Sequence, residues 1–229
     1  MFHIQHPEKY LCTFLFCLLL FIPFSVFAAD TASLPDSASS SEQQNTAIPL
    51  QPTIWNSGVG EGFRNGTKVL GVSAGASYDL RLGSEEQHNL ALISVTYGRM
   101  IGDVKGEGKW YRGNWEHVAE LFGGAEVNEK NRAIVGLTTH VRYNFATGTH
   151  FIPYADIGFG VSLTDIREPD LGAAFQFNEQ GNIGANYFVQ DNMSINFYIQ
   201  WLHISSAGLS NPNKSVNPAG CYLGVNWFF

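Results

Sequence analysis

The feature that most constrains the fold is an alternation of apolar and polar residues with a period of two. Successive side chains of a β-strand point to opposite faces, so each alternating segment predicts a strand with one apolar and one polar face. The chain is therefore predicted to be all-β. Its eight predicted strands are about Val69–Leu80, Leu90–Ile101, Trp110–Val127, Ala133–Phe145, Phe151–Asp165, Phe175–Val189, Ser194–Ser205 and Cys221–Phe229.

The polar faces of these strands are mainly Gly, Ser, Thr, Asn and Gln, and charged residues make up only 14% of the chain. An even number of such strands, the last ending in an aromatic residue, predicts an eight-stranded antiparallel up-and-down outer-membrane β-barrel. Side chains fill the interior of a barrel this small, so a pore is not expected. A soluble barrel of the lipocalin kind is the alternative, but it would carry more charge outside.

The charged residues of the polar faces are then predicted to line the lumen. An internal network of ion pairs and hydrogen bonds would replace an apolar core there. The residues concerned are Glu116, Glu120, His140, Arg142 and Asp156.

The N-terminal region predicts export. An apolar run from Leu11 to Phe27 precedes a cleavage site after Ala28, which is typical of a secretory signal peptide over residues 1–28, with an N-terminal membrane anchor as the alternative. Residues 29–54 are rich in Ser, Thr, Gln and Pro, which predicts a disordered periplasmic tail or linker. Residues 55–229 form the predicted membrane barrel, in the bacterial outer membrane.

Composition excludes several classes of function. The net charge of −7 gives no basic surface for nucleic acid. No His, Cys, Asp or Glu cluster has metal-ligand spacing, so neither a metal nor another cofactor is expected. Only Cys221 remains after cleavage, which leaves no internal disulfide. The sequence does not indicate an oligomeric state.

A candidate reaction centre lies at the end of the seventh strand, in WLHISSAGLSNPNKSVN from Trp201 to Asn217. The alternation places His203 and Ser205 on the apolar, lipid-facing side, at the extracellular end. Two residues apart on one face, the imidazole can reach the hydroxyl. Because a serine hydroxyl is a poor nucleophile without a base, this pair is a candidate for nucleophilic catalysis.

Beyond this spacing, HISSAGL at residues 203–209, Pro212-Asn213 and the closing aromatic strand resemble the outer-membrane lipid A 3-O-deacylases, or acyloxyacyl-hydrolase-like proteins. RGNWE at residues 112–116 and FQFNEQGNIG at residues 175–184 support the resemblance. The resemblance implies a serine hydrolase site on the outer wall of the barrel. The partner of this hydrolase would be lipopolysaccharide, from whose lipid A it would remove the 3-O-linked acyl chain. His203 would be the general base and Ser205 the nucleophile.

Two positions depart from the family pattern. Ser206 stands where the family has an Asn associated with the oxyanion hole, so Ser206 and backbone N–H groups near Gly208 are the oxyanion candidates. Asn217 stands where the family has the carboxylate that orients the histidine, and an amide can hold a tautomer but cannot stabilise imidazolium charge.

Glu179 is a second candidate for orienting His203. A three-residue turn at Gln190–Asn192 would pair Val189 with Met193, and extending that register places Glu179 opposite His203. Alternatively, Glu179 snorkels or turns into the lumen. The departures at residues 206 and 217 also favour a different class of function, a catalytically silent structural or adhesive outer-membrane barrel, which the intact His–Ser pair opposes.

Overall fold

The computed structural model describes residues 63–128 and 130–229. The predicted signal peptide, the predicted tail and the first eight residues of the predicted barrel domain lie outside the described residues. The strands are β1 (Lys68–Asp79), β2 (Leu90–Lys105), β3 (Gly113–Glu126), β4 (Ala133–Phe145), β5 (Phe151–Thr164), β6 (Phe175–Gln190), β7 (Met193–Ser205) and β8 (Pro218–Phe228).

The eight strands form one closed antiparallel barrel, as predicted. Each strand pairs with the next along the chain, and β1 pairs with β8 from Val69 opposite Phe228 to Asp79 opposite Pro218. Closure leaves no strand edge unpaired, which a lipid environment requires. No helix in the described part of the chain is long and apolar enough to cross a membrane.

The apolar faces of the strands point outward. Exposed fractions reach 72% for Ile183 and 58% for Leu137 and Ile157. Such a continuous apolar exterior is stable in lipid and unstable in water. The lipocalin-like alternative, with apolar residues inside, is therefore wrong.

The lumen holds the predicted polar network. His140 is 3.3 Å from a Glu120 oxygen and 3.1 Å from an Asp156 oxygen, and Arg142 Nε donates to Asp156 at 2.8 Å. A weaker pair joins Arg142 to Glu116 at 3.9 Å. All five side chains are buried, so the interior is a packed ionic core.

Longer connections lie at one end of the barrel and shorter ones at the other, as in outer-membrane barrels, whose long loops face the cell exterior. The extracellular set is loop 1 (80–89), loop 2 (127–132), loop 3 (165–174) and loop 4 (206–217). The periplasmic set is 106–112, 146–150 and 191–192. At the periplasmic end, Phe63 packs edge-on against Phe188 and Phe228 with centroids 5.9 and 5.7 Å away.

The β6–β7 turn differs from its prediction. Gln190 pairs with Met193 across a two-residue turn, and the register shifts between Phe188 and Gln190. This bulge absorbs Val189, so the register beyond it is the predicted one. Glu179 accordingly lies opposite His203.

Candidate active site

His203 and Ser205 lie on the outer wall at the extracellular end of β7. Below them the lipid-facing row continues through Trp201 and Ile199, which are 39% and 53% exposed. Both candidate residues are half-buried. The ring nitrogen Nε2 of His203 is 3.1 Å from Ser205 Oγ, so the contact predicted from their spacing is present.

Asn217 lies on the β8 flank of His203. Ile204 and Val216 exchange two backbone hydrogen bonds of 2.9 and 3.0 Å, extending the β7–β8 register past the end of β8. His203 therefore lies opposite Asn217, whose Oδ1 is 2.7 Å from His203 Nδ1. The three side chains form one line of hydrogen bonds, from Asn217 through His203 to Ser205.

The surroundings of Asn217 determine which atoms donate. Its Nδ2 donates to the carbonyl oxygen of Leu82 at 2.9 Å and to Ser215 Oγ at 3.0 Å. A carbonyl oxygen can only accept, so the amide must present Nδ2 to Leu82 and Oδ1 to the imidazole. His203 then carries its proton on Nδ1, and Nε2 is left to accept the Ser205 proton. A general base requires this tautomer.

Glu179 lies on the opposite flank of His203, where β6 pairs with β7. It is half-buried, and within residues 63–128 and 130–229 no hydrogen bond joins it to His203. Asn217 and Ser205 already bond both ring nitrogens. Of the two candidates for orienting the ring, Asn217 makes the contact and Glu179 does not.

Ser206 is bound to Asn213 rather than facing the Ser205 hydroxyl. Its N–H and its Oγ–H both donate to Asn213 Oδ1, at 2.8 and 2.9 Å, and its side chain is buried. These two bonds orient the Asn213 amide, whose Nδ2 has no hydrogen bond to any described residue. Asn213 had no predicted role, although it belongs to the Pro-Asn pair that carries the family resemblance.

A tight turn follows Ser205 directly. Leu209 N donates to the Ser206 carbonyl at 3.0 Å, and the two central residues, Ala207 and Gly208, have φ values of 52° and 82°. Positive φ at both positions is typical of a type I′ turn, which suits Gly at position 208. In the part of the chain that the structure describes, the N–H groups of Ala207 and Gly208 bond no acceptor. These two backbone donors, two and three residues after Ser205, are therefore unpaired among the described residues.

Asp79, the last residue of β1, supports the site and was not among the predicted site residues. Its carboxylate is fully buried and accepts hydrogen bonds from Asn217 N at 3.2 Å, Arg81 N at 3.0 Å and Ser84 Oγ at 2.9 Å. The only signal in the sequence was an acidic residue at the end of a predicted strand. Asp79 thereby anchors the backbone of Asn217 to β1.

Among the described residues, the candidate site around Ser205 contains no cluster of metal ligands. Among the described residues, one group has suitable spacing, formed by Glu86, His88 and Asp170 in loops 1 and 3. The polar side chains at Ser205 are one imidazole and two amides, which suit proton transfer and hydrogen bonding and do not form a metal cage.

The comparisons with known proteins bear on the family and the fold. The sequence matches the family described as "Lipid A 3-O-deacylase (PagL)" over residues 72–226. Comparison with curated proteins gave no significant match.

Two solved structures resemble the barrel. The outer membrane enzyme PagL is 16% identical with a TM-score of 0.50, and the match covers 67% of this chain and 97% of that one. Neisserial surface protein A is 16% identical with a TM-score of 0.54, and the match covers 71% and 97%. At this identity the two likenesses show the fold alone, a barrel of the bacterial outer membrane.

Proposed function

Because the chain belongs to the lipid A 3-O-deacylase (PagL) family, we propose that it is a serine esterase of the outer membrane that hydrolyses the 3-O-linked acyl chain of lipid A. The observation that carries this proposal is the line of hydrogen bonds from Asn217 through His203 to Ser205. It lies on the lipid-facing wall at the extracellular end, where a lipid of the outer leaflet has direct access.

In the proposed mechanism, Ser205 Oγ attacks the ester carbonyl while His203 Nε2 accepts its proton. The tetrahedral intermediate collapses when His203 returns this proton to the departing 3-hydroxyl of the sugar. An acyl-serine remains. Water, deprotonated by the same imidazole, then releases the fatty acid and restores Ser205.

The developing oxyanion needs donors that are already in place. The N–H groups of Ala207 and Gly208 follow the nucleophile directly, and the free amide nitrogen of Asn213 is held nearby through Ser206. In this assignment, Ser206 contributes by orienting Asn213. Ser206 and Asn213 together would then take the place of the family's Asn at position 206.

Asn217 is expected to lower the rate without abolishing it. Replacing the triad Asp of a serine protease by Asn reduces kcat about 10⁴-fold, because the amide there favours the wrong tautomer. Here the Leu82 carbonyl turns the amide the correct way, so the tautomer is retained. Only the electrostatic stabilisation of the imidazolium is missing.

Mass spectrometry of lipid A from cells that express the protein tests the proposal. The wild type should remove one 3-hydroxyacyl chain, and Ser205→Ala should remove none. Ser162→Ala, at a buried lumenal hydroxyl, is the matched control and should behave as the wild type. Lipid A that is unchanged by the wild type, with the barrel present in the outer membrane, would contradict the proposal.

The neutral Asn217 beside His203 also favours a second candidate, a structural or adhesive barrel without catalysis. It predicts unchanged lipid A and no reaction of Ser205 with a fluorophosphonate probe. If the probe labels the wild type and does not label Ser205→Ala, this second candidate is excluded, even if the natural substrate is an ester other than lipid A.

A further inference from the structure

A fully buried histidine, His88 in loop 1, joins three of the four extracellular loops. Its Nδ1 is 2.5 Å from Glu126 Oε1 at the end of β3, and its Nε2 is 2.8 Å from Asp170 Oδ2 in loop 3. Carboxylates accept hydrogen bonds and do not donate them when ionised. A neutral imidazole has one N–H, so both contacts are satisfied only by the imidazolium form.

The charges around His88 agree with that form. The network contains three carboxylates, Glu86, Glu126 and Asp170. Arg132 of loop 2 donates to Glu126 at 2.7 Å and to Glu86 at 2.9 Å, with Nη2 3.3 Å from His88 Nδ1, and Lys130 pairs with Glu86 at 2.5 Å. A protonated His88 gives three cations for the three anions.

Asp79 is the remaining charged group that faces His88, since its Oδ2 accepts the His88 backbone N–H at 3.3 Å. Burial acts to lower the pKa of the His88 imidazole, but the hydrogen bonds to Glu126 and Asp170 outweigh burial and raise it above its ordinary value of 6.5.

The same network holds loop 4, which carries the candidate site. The carbonyl of Asp170 accepts from Lys214 N at 2.9 Å, and Gly172 N donates to Pro212 O at 2.7 Å. Leu171 forms a β-bridge with Asn213. On the other side of loop 4, Asp79 binds the backbone of Asn217. Loop 3 therefore supports the middle of loop 4, and Asp79 at the end of β1 supports its last residue.

We propose that the His88 imidazolium is a positioning residue for the hydrolase site, because it clamps loops 1, 2 and 3 into the frame that holds loop 4. This inference rests on the proposed function of Ser205. When His88 loses its proton, one carboxylate faces a ring lone pair at hydrogen-bond distance. The frame then loosens, and Asn217 and the turn at residues 206–209 lose their fixed geometry. Hydrolysis therefore falls at pH values above the one at which His88 loses its proton.

Hydrogen exchange of the wild-type barrel, corrected for the intrinsic effect of pH, tests the clamp without any substrate. Between about pH 6 and about pH 10, protection of loops 1, 3 and 4 should fall about tenfold, which is the change expected when one hydrogen bond to a charged group is lost. His88→Gln should show low protection that does not vary with pH. His150→Gln, in a periplasmic turn, is the matched control and should keep the wild-type profile.

Hydrolysis of lipid A supplies the second readout. The wild type should lose activity on the alkaline side, and His88→Gln should be about tenfold slower throughout without that fall. His88→Lys keeps a cation with several donors, so its rate should hold at alkaline pH.

Three results would overturn the clamp. One is wild-type loop protection that does not change with pH, and another is a His88→Gln barrel that equals the wild type in protection and rate. The third is protection that depends on added Zn²⁺ and is lost with EDTA, which would make the cluster a metal site. Failure of the proposed function is distinct, since it gives no hydrolysis at any pH while the pH-dependent protection remains.

Discussion

Replacing Asn217 by Asp should increase the rate of hydrolysis and reduce the stability of the barrel. The two side chains have the same shape, so one carboxylate oxygen takes the place of Oδ1, 2.7 Å from His203 Nδ1. Charge centres about 4 Å apart attract by about 4 kcal/mol at an effective dielectric constant near 20. Because His203 is half-exposed, solvent screening reduces this to about 2 kcal/mol, or about 30-fold in kcat.

The loss of stability comes from the second carboxylate oxygen, which replaces the Nδ2 donor. In Asn217→Asp that oxygen faces the Leu82 carbonyl at about the former 2.9 Å, while the Ser215 hydroxyl can turn to donate to it. The Leu82 carbonyl loses its donor and is repelled by the carboxylate, which lowers the free energy of unfolding by about 1–3 kcal/mol.

Single-turnover release of the acyl chain from purified lipopolysaccharide, measured across pH, is the assay for this prediction. Asn128→Asp is the matched control, because Asn128 Nδ2 also donates to a carbonyl, that of Gln87 at 2.8 Å, outside the line of Asn217, His203 and Ser205. It should lose stability without gaining rate. A folded Asn217→Asp barrel that hydrolyses lipid A no faster than the wild type would refute the role of Asn217.

Three further predictions concern the barrel and its loops. Ile199→Arg places a charge at the middle of β7 on the lipid face, and should lower the unfolding free energy in vesicles by about 2–4 kcal/mol, whereas Ile199→Leu should be nearly neutral. Arg142→Leu breaks the buried ion pair with Asp156 and leaves His140 as the single cation beside three lumenal carboxylates, and it should lower the unfolding free energy by about 3–5 kcal/mol in the same urea titration. Hydrogen bonds from backbone N–H groups and His88 outweigh burial and hold the pKa of Asp170 below its ordinary value. The contribution of Asp170 to loop stability should therefore be lost as pH falls through that lowered pKa. Faster protease cleavage of loop 3 at low pH would detect this loss.

The barrel could be predicted because its signal is periodic and local. Alternation fixes which residues face lipid, and a lipid-facing strand cannot slip by one residue without turning its polar face outward. That constraint predicted Glu179 opposite His203 even though the turn between their strands was wrong. The bulge at Val189 escaped prediction because nothing in the local pattern distinguishes a three-residue turn from a bulged two-residue turn.

The site was predictable only where it follows the strand. His203 and Ser205 continue the alternation of β7, so their contact could be inferred from spacing. The bonds that orient Asn217 and Asn213 come from loop backbones such as the Leu82 carbonyl, which have no periodicity. The clamp at His88 joins residues more than 80 positions apart, Asp170 among them, and no local pattern relates them.

For the proposed hydrolysis, the position of Ser205 at the last residue of β7 limits which bonds can be cleaved. Ile199 marks the middle of this strand, six residues below. With a rise of about 3.4 Å per residue and a tilt of about 40°, the hydroxyl stands about 15 Å above the midplane, at the border between acyl chains and headgroups. Because the wall of the barrel is rigid, the Ser205 hydroxyl stays at one depth in the membrane. Esters a few ångström deeper in the leaflet do not reach it, so depth selects the bond before the shape of any pocket does.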